Sequence, residues 1–114
     1  MKLTLNLIVQ AALRLPGRFW VYLSSVGNPD YNQYAPISDP VLKSAESLRE
    51  VRDLCLAYIE DCNLGGGNWP GGIFGSGRLV LGHVSYNGRL WEGLPGDCTA
   101  RGLTLDDARP ARQP

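Results

Sequence analysis

Near the start of the chain Leu3, Leu5, Leu7 and Val9 alternate with Lys2, Thr4 and Asn6, a period of two that predicts a strand with one buried face. Pro16-Gly17 then marks a turn, and Arg18 to Ser25 reads as a second strand. Pro-Gly suits a type II turn, whose twist matches flanking strands poorly, so a longer loop or a bulge is expected and the pairing register stays open. Phe19, Val21 and Leu23 are placed toward the core, with Trp20 and Tyr22 on the opposite face. From Val26 to Lys43 there is no period, three prolines (Pro29, Pro36, Pro40) and two tyrosines (Tyr31, Tyr34). That describes a long loop, of a length that is usually functional or mobile, with the tyrosines expected to pin it to the core.

The period then changes. Ser47 and Glu50 have the spacing of a capping box, and Leu48, Val51, Cys55, Tyr58 and Cys62 recur at three- and four-residue steps, which predicts an amphipathic helix over roughly 47–63. Gly65 is positioned to close it in the left-handed conformation. Seven glycines follow within Gly65 to Gly77, around Asn68, Trp69 and Pro70, with a very short strand expected at Ile73-Phe74. Arg78 to Ser85 and Arg89 to Glu92 read as strands joined at Asn87-Gly88, a type I′ hairpin signal. Pairing across that turn sets Val84 opposite Trp91 in the core and His83 opposite Glu92 on the other face. Leu79, Leu81 and Leu90 then share the face away from the helix with Trp20 and Tyr22. The expected fold class is α+β: an antiparallel sheet of four to five strands in β-β-α-β-β order with one helix packed on one face. Residues 1–96 form the single domain, and 97–114 are a mostly disordered tail whose Leu103 and Leu105 are available to dock onto a partner.

Composition fits one soluble domain: 114 residues, 44% hydrophobic and 19% charged. Eleven Lys+Arg balance eleven Asp+Glu, which argues against a strongly electrostatic grip on nucleic acid or on an anionic membrane. The longest apolar run, Leu54 to Ile59, is far below the roughly 20 residues that cross a bilayer, and Thr4, Asn6 and Gln10 interrupt any signal-peptide core. Three cysteines and one histidine make neither a disulfide framework nor a zinc set, so no metal or other cofactor is expected and a reducing, cytoplasmic setting is the simpler reading. Cys55 and Cys62 fall on the buried stripe, which leaves Cys98 as the exposed thiol.

Catalytic chemistry is sparse. His83 is the single imidazole, with Glu92 and Ser85 as candidate neighbours, and a paired strand histidine is the plainer account of it. The glycine-rich run follows a helix, the wrong pole for a phosphate cradle. What remains is Trp69, beside Asn68, as a ligand rim, against the alternative that it covers the open end of the core. If the helix packs back along the second strand, Asn68 and Trp69 approach Arg14 and Arg18, an aromatic with guanidinium groups suited to an anionic or planar ligand.

The segments Leu64 to Trp69 and Ser85 to Trp91 resemble small uncharacterised proteins carried on bacterial mobile elements, of the integron gene-cassette type. The resemblance spans about residues 18–92 and implies a bacterial cytoplasmic setting without any activity to transfer. The expected function is a non-enzymatic binding or protein-interaction module, for a small molecule or a protein, that self-associates as a dimer through the sheet face carrying Leu79, Leu81 and Leu90. The competing readings are a small hydrolase-like enzyme using His83 and a single-stranded nucleic-acid binder presenting Trp20, Tyr22, Arg14, Arg18 and Arg78.

Overall fold

A computed structural model describes residues 4–96 and 101–105. It is α+β, with a six-stranded antiparallel sheet and two helices, in the order α1 (Leu5–Ala12), β1 (Phe19–Leu23), β2 (Val41–Ala45), α2 (Leu48–Asp61), β3 (Gly72–Ser76), β4 (Leu79–Val84), β5 (Leu90–Glu92) and β6 (Gly102–Leu103). Across the sheet the strands run β2-β1-β3-β4-β5-β6. Among the described residues no helix is long and apolar enough to cross a membrane.

The first departure from expectation is the N-terminal segment, which is helical where alternation predicts a strand. Thr4 caps α1, its hydroxyl accepting from the Leu7 amide at 3.3 Å. The apolar residues of this stretch are compatible with both periods: Leu3, Leu5, Leu7 and Val9 alternate, while Ile8 and Ala12 lie one helical turn apart and an odd number of residues from Leu7. Ile8 and Ala12 are buried and Leu7 is largely exposed, the reverse of what the strand requires.

The second is β2, which occupies the end of the segment expected to be loop. It pairs along the whole of β1, from Leu23 opposite Val41 to Phe19 opposite Ala45. Val41 follows Pro40, which hides the start of the strand, and Lys43 stands exposed in the middle of it, a charge that discourages further pairing on this sheet edge.

The start of helix α2 conforms to its signals. Ser47 Oγ accepts from the Glu50 amide at 3.1 Å, while the Glu50 carboxylate accepts from the Glu46 amide at 2.7 Å. The C-terminus closes on Asn63 (φ 55°) rather than on Gly65, with Leu64 N donating to Ile59 O at 2.9 Å and Asn63 N to Glu60 O at 3.1 Å, a Schellman closure.

Both faces of the sheet are covered, by different helices. Phe19, Val21 and Leu23 join Leu48, Val51, Cys55 and Ile59 of α2 in the main core, with Phe74, Val84 and Leu90. Trp20 packs with Ile8 and Ala12 of α1 on the other side, flanked by Tyr22, Leu42, Ile73 and Val80. The Trp20 indole lies over Gly75, where a Cβ would stand 2.5 Å from the ring, and its Nε1 donates to Gly77 O at 2.9 Å.

The β4–β5 hairpin corrects the assignment of faces. Ser85 N donates to Arg89 O at 2.8 Å and Gly88 N to Ser85 O at 2.9 Å, so the loop is the three residues Tyr86, Asn87 and Gly88. Only Gly88 of the three takes positive φ, 86°, which is the signature of a type I turn followed by a bulge rather than of type I′. The extra residue shifts the register by one, and a one-residue slip exchanges the faces of every side chain. Val84 therefore faces Leu90, and His83 faces Trp91, while Glu92 lies opposite Gly82. Leu90 is buried against α2, Leu81 packs on the same core and Trp91 is half-buried on the α1 side. The patch of Leu79, Leu81 and Leu90 expected to form a dimer face is thus divided, with Leu79 alone well exposed.

Part of the expected tail is structured. Leu103 pairs with Leu90 in β6, and Leu103 and Leu105 pack on this chain's own core. Cys98 and the remainder of the tail lie outside the described residues.

Candidate functional site

The antiparallel pairing gives the sheet two distinct ends. At one, strand and helix ends meet at three loops: residues 24–40 between β1 and β2, 62–71 between α2 and β3, and 85–89 between β4 and β5. Their composition is tyrosine, serine, asparagine and glycine rich, the mixture that recognition loops use because tyrosine supplies contact area at low entropic cost.

The 24–40 loop is fastened by side chains at two points. Near its middle, Asn68 reaches out of the 62–71 loop. Its Nδ2 donates to Val26 O at 3.0 Å and to Gln33 Oε1 at 2.8 Å, its Oδ1 accepts from Gly65 N at 3.1 Å, and its carbonyl accepts from Val26 N at 2.9 Å. Gln33 Oε1 also accepts from Asn28 N at 3.1 Å, and Asn28 Oδ1 accepts from Asp30 N at 3.0 Å, the Asn-Pro turn start of Asn28-Pro29. Asn28 lies so close to Gly67 that a Cβ there would collide with its amide and displace that side chain. Nearer β2, Ser25 Oγ accepts from the amides of Ile37 and Ser38, each at 3.0 Å, and lies 2.7 Å from Ser38 Oγ. Ser38 Oγ is 2.6 Å from the Tyr58 hydroxyl, which donates to Asp39 O at 2.7 Å. Burial raises the pKa of the Tyr58 phenol above its ordinary value, against a lowering by the Ser38 hydrogen bond.

With the backbone held from within, the loop's large side chains point away. Tyr31 is 74% exposed and Tyr34 79%, so these rings do not pin the loop. Val26, Ile37 and Tyr86 are also well exposed, and Tyr86 is oriented by its hydroxyl donating to Leu64 O at 3.0 Å. Asp30, Asp39, Glu60 and Asp61 stand exposed at this end. The last two sit in the final turn of α2, which has no basic residue, an arrangement opposed to the helix dipole.

The structure separates the four expected ligand residues. Trp69 is 8% exposed in the main core, with its Nε1 donating to Val84 O at 2.8 Å and its ring 6.2 Å from that of Tyr58. Asn68 is buried and its amide is fully engaged by the bonds above. Arg14 and Arg18 are exposed at the opposite end of the sheet, beside the Gly17 turn and next to Phe19, which pairs with Ala45. The unforeseen β2 is the reason: it traverses the sheet once more before α2 begins, so the helix delivers Asn68 and Trp69 to the Leu23 end of β1 and not to the Phe19 end. The strand rise puts on the order of 15 Å between them.

His83 Nδ1–H donates to Gly93 O at 2.8 Å. Glu92, expected beside it, instead contacts Arg101 at 3.4 Å. Trp91 Nε1 donates to Ser85 Oγ at 3.2 Å, and the Arg89 guanidinium lies 5.1 Å from the Trp91 ring centre. Cys55 is fully buried, and burial pushes its thiol up to about 12, which removes it from nucleophilic chemistry at neutral pH. A partly open cavity of about 100 Å³ lies at the Arg14 end, between the C-terminus of α1 and the β3–β4 turn, lined by Leu13, Leu15, Pro16, Trp20 and Gly77 among others.

No family model matches the chain, and no curated protein or solved structure is significantly similar to it.

Proposed function

We propose that the protein is a non-catalytic interaction module that recognises another polypeptide through the three-loop end of its sheet. The observation that carries this reading is the pairing of opposites in the 24–40 loop: a backbone fixed by buried side-chain hydrogen bonds and two tyrosine rings exposed by about three quarters. Fixing a loop before binding lowers the ordering cost of association, and tyrosine is, with tryptophan and arginine, among the residues enriched at interface hot spots. The reducing cytoplasmic setting and the mobile-element setting are part of the same proposal.

The test uses a displayed random-peptide library selected against the immobilised protein. Enriched peptides should shift the amide resonances of residues 24–40 and 85–89, and should lose binding to the Y31S/Y34S variant. Peptides that bind equally well to that variant, or that map to the α1 face, would overturn the reading.

A further inference from the structure

The opposite end of the sheet carries the complement of the tyrosine end. Arg14, Arg18 and Arg78 are exposed there, with Arg49 at the start of α2. Glu46 and Glu50 are exposed among them and offset part of that charge, leaving arginine in excess. The chain is neutral as a whole, eleven charges against eleven, yet Arg14, Arg18, Arg49 and Arg78 gather at one end, whereas at the other Asp30, Asp39, Glu60 and Asp61 outnumber Arg89. The arginine end also holds the partly open cavity of about 100 Å³ beside Trp20, lined by polar backbone as well as apolar side chains. It is smaller than the roughly 150 Å³ that encloses a benzene ring, so a phenol would engage it by the ring edge with the hydroxyl left outside.

We propose that the partner is a second copy of this chain, bound head to tail. The tyrosine end of one copy docks on the arginine end of the next, with Tyr31 or Tyr34 entering the cavity at Leu13, Pro16 and Trp20, and Asp30 facing Arg14 and Arg78. The proposal rests on the module reading above and supplies its partner. The two surfaces are different, so the contact is heterologous: it propagates into a ring or an open chain and does not stop at a twofold dimer. The sheet-face dimer expected from the sequence does not compete, because α1 covers part of that face and Leu90 is buried under α2. Charge complementarity across the contact makes association sensitive to salt, since exposed charges are screened within about 10 Å at 0.1 M.

Sedimentation velocity on the full chain, with two variants that each disable one end, tests this. R14E/R78E removes the acceptor end and Y31S/Y34S the donor end. All four positions are exposed, so thermal unfolding should confirm that both variants remain folded. Wild-type protein should grow in mean mass with concentration and shrink toward monomer in 0.5 M salt. Each variant alone should be monomeric over the same range, and an equimolar mixture should form a one-to-one dimer and nothing larger, because each contributes the one surface the other lacks. Wild-type protein that stays monomeric at several hundred micromolar overturns the proposal. So does association that persists in either variant, or a mixture that fails to complement. If the wild type is monomeric while selected peptides still bind at Tyr31 and Tyr34, the self-partner fails and the module reading survives. If the peptides also bind elsewhere, both fail.

Discussion

The two ends of the sheet are built by different means. At the arginine end the connections are closed by backbone conformation: Gly17 and Gly77 take φ of 98° and 57°, and a short turn joins β3 to β4. At the tyrosine end a long loop is held by buried polar side chains, Asn68 and Ser25, that satisfy backbone groups with no strand or helix partner. Buried backbone polar groups must be paired somewhere, and the choice of partner has a consequence. Had apolar contacts held the loop, its tyrosines would be its anchors. Because asparagine and serine hold it, the rings are released to the surface, which is how a loop becomes both ordered and available.

That contrast orders the expected effects of substitution. The largest belongs to Trp69, whose truncation to alanine should cost about 4 kcal/mol in urea unfolding, as removal of a buried aromatic does. A near-neutral result would restore Trp69 as a mobile rim residue. Asn68→Ala should cost about 3 kcal/mol, since it strands buried amide and carbonyl partners on both loops. The loss should appear together with increased mobility of residues 26–33. Ser25→Ala should cost about 2 kcal/mol for the same reason at the second clamp, and Ser25→Thr tests whether the hydroxyl alone suffices in so enclosed a site.

A smaller effect is pH-dependent. In the folded chain burial holds the Cys55 thiol up at about 12, from an ordinary 9.0, and raises the phenols of Tyr58 and Tyr22. The folded state therefore binds these protons more tightly, so the stability they confer is complete below about pH 9 and falls as pH rises toward 12. The urea midpoint should decline over that interval, less steeply in Cys55→Ala. The smallest effect belongs to Tyr31→Ser and Tyr34→Ser, which should change stability by under about 0.5 kcal/mol. A larger loss would mean that the rings support the loop after all.

Much of the fold was legible where one pattern excludes the rest. Helix α2 carried a cap and a stripe, and β1 and β4 carried strand character, whereas the stop assigned to Gly65 falls on Asn63. The failures have local causes. Residues 5–12 are apolar on too many sides to distinguish the two periods, and the cap at Thr4 was the decisive signal. Strand β2 begins behind Pro40 and carries a lysine at its centre. Asn87-Gly88 named a turn, but the three-residue loop that moved Leu90 into the core and Trp91 out of it depends on the conformation of Asn87, which the dipeptide does not determine. At the candidate site, Asn68 was singled out for a ligand and holds a loop, while Tyr31 and Tyr34 were assigned to the core and stand outside it. The chemistry of these residues was recognised, but their direction depended on β2, whose extra traverse set which loops would meet.

Amide hydrogen exchange over residues 24–40 tests whether this loop is fixed from beneath by side chains. The Val26, Ile37 and Ser38 amides, which donate to Asn68 O and Ser25 Oγ, should exchange as slowly as amides in the flanking strands. In Asn68→Ala the Asn28 amide, whose acceptor Gln33 Oε1 is held by Asn68 Nδ2, should lose protection while β3 and β4 keep theirs. Rapid exchange of all these amides in the wild-type protein, at the rate of an unstructured peptide, would contradict the account.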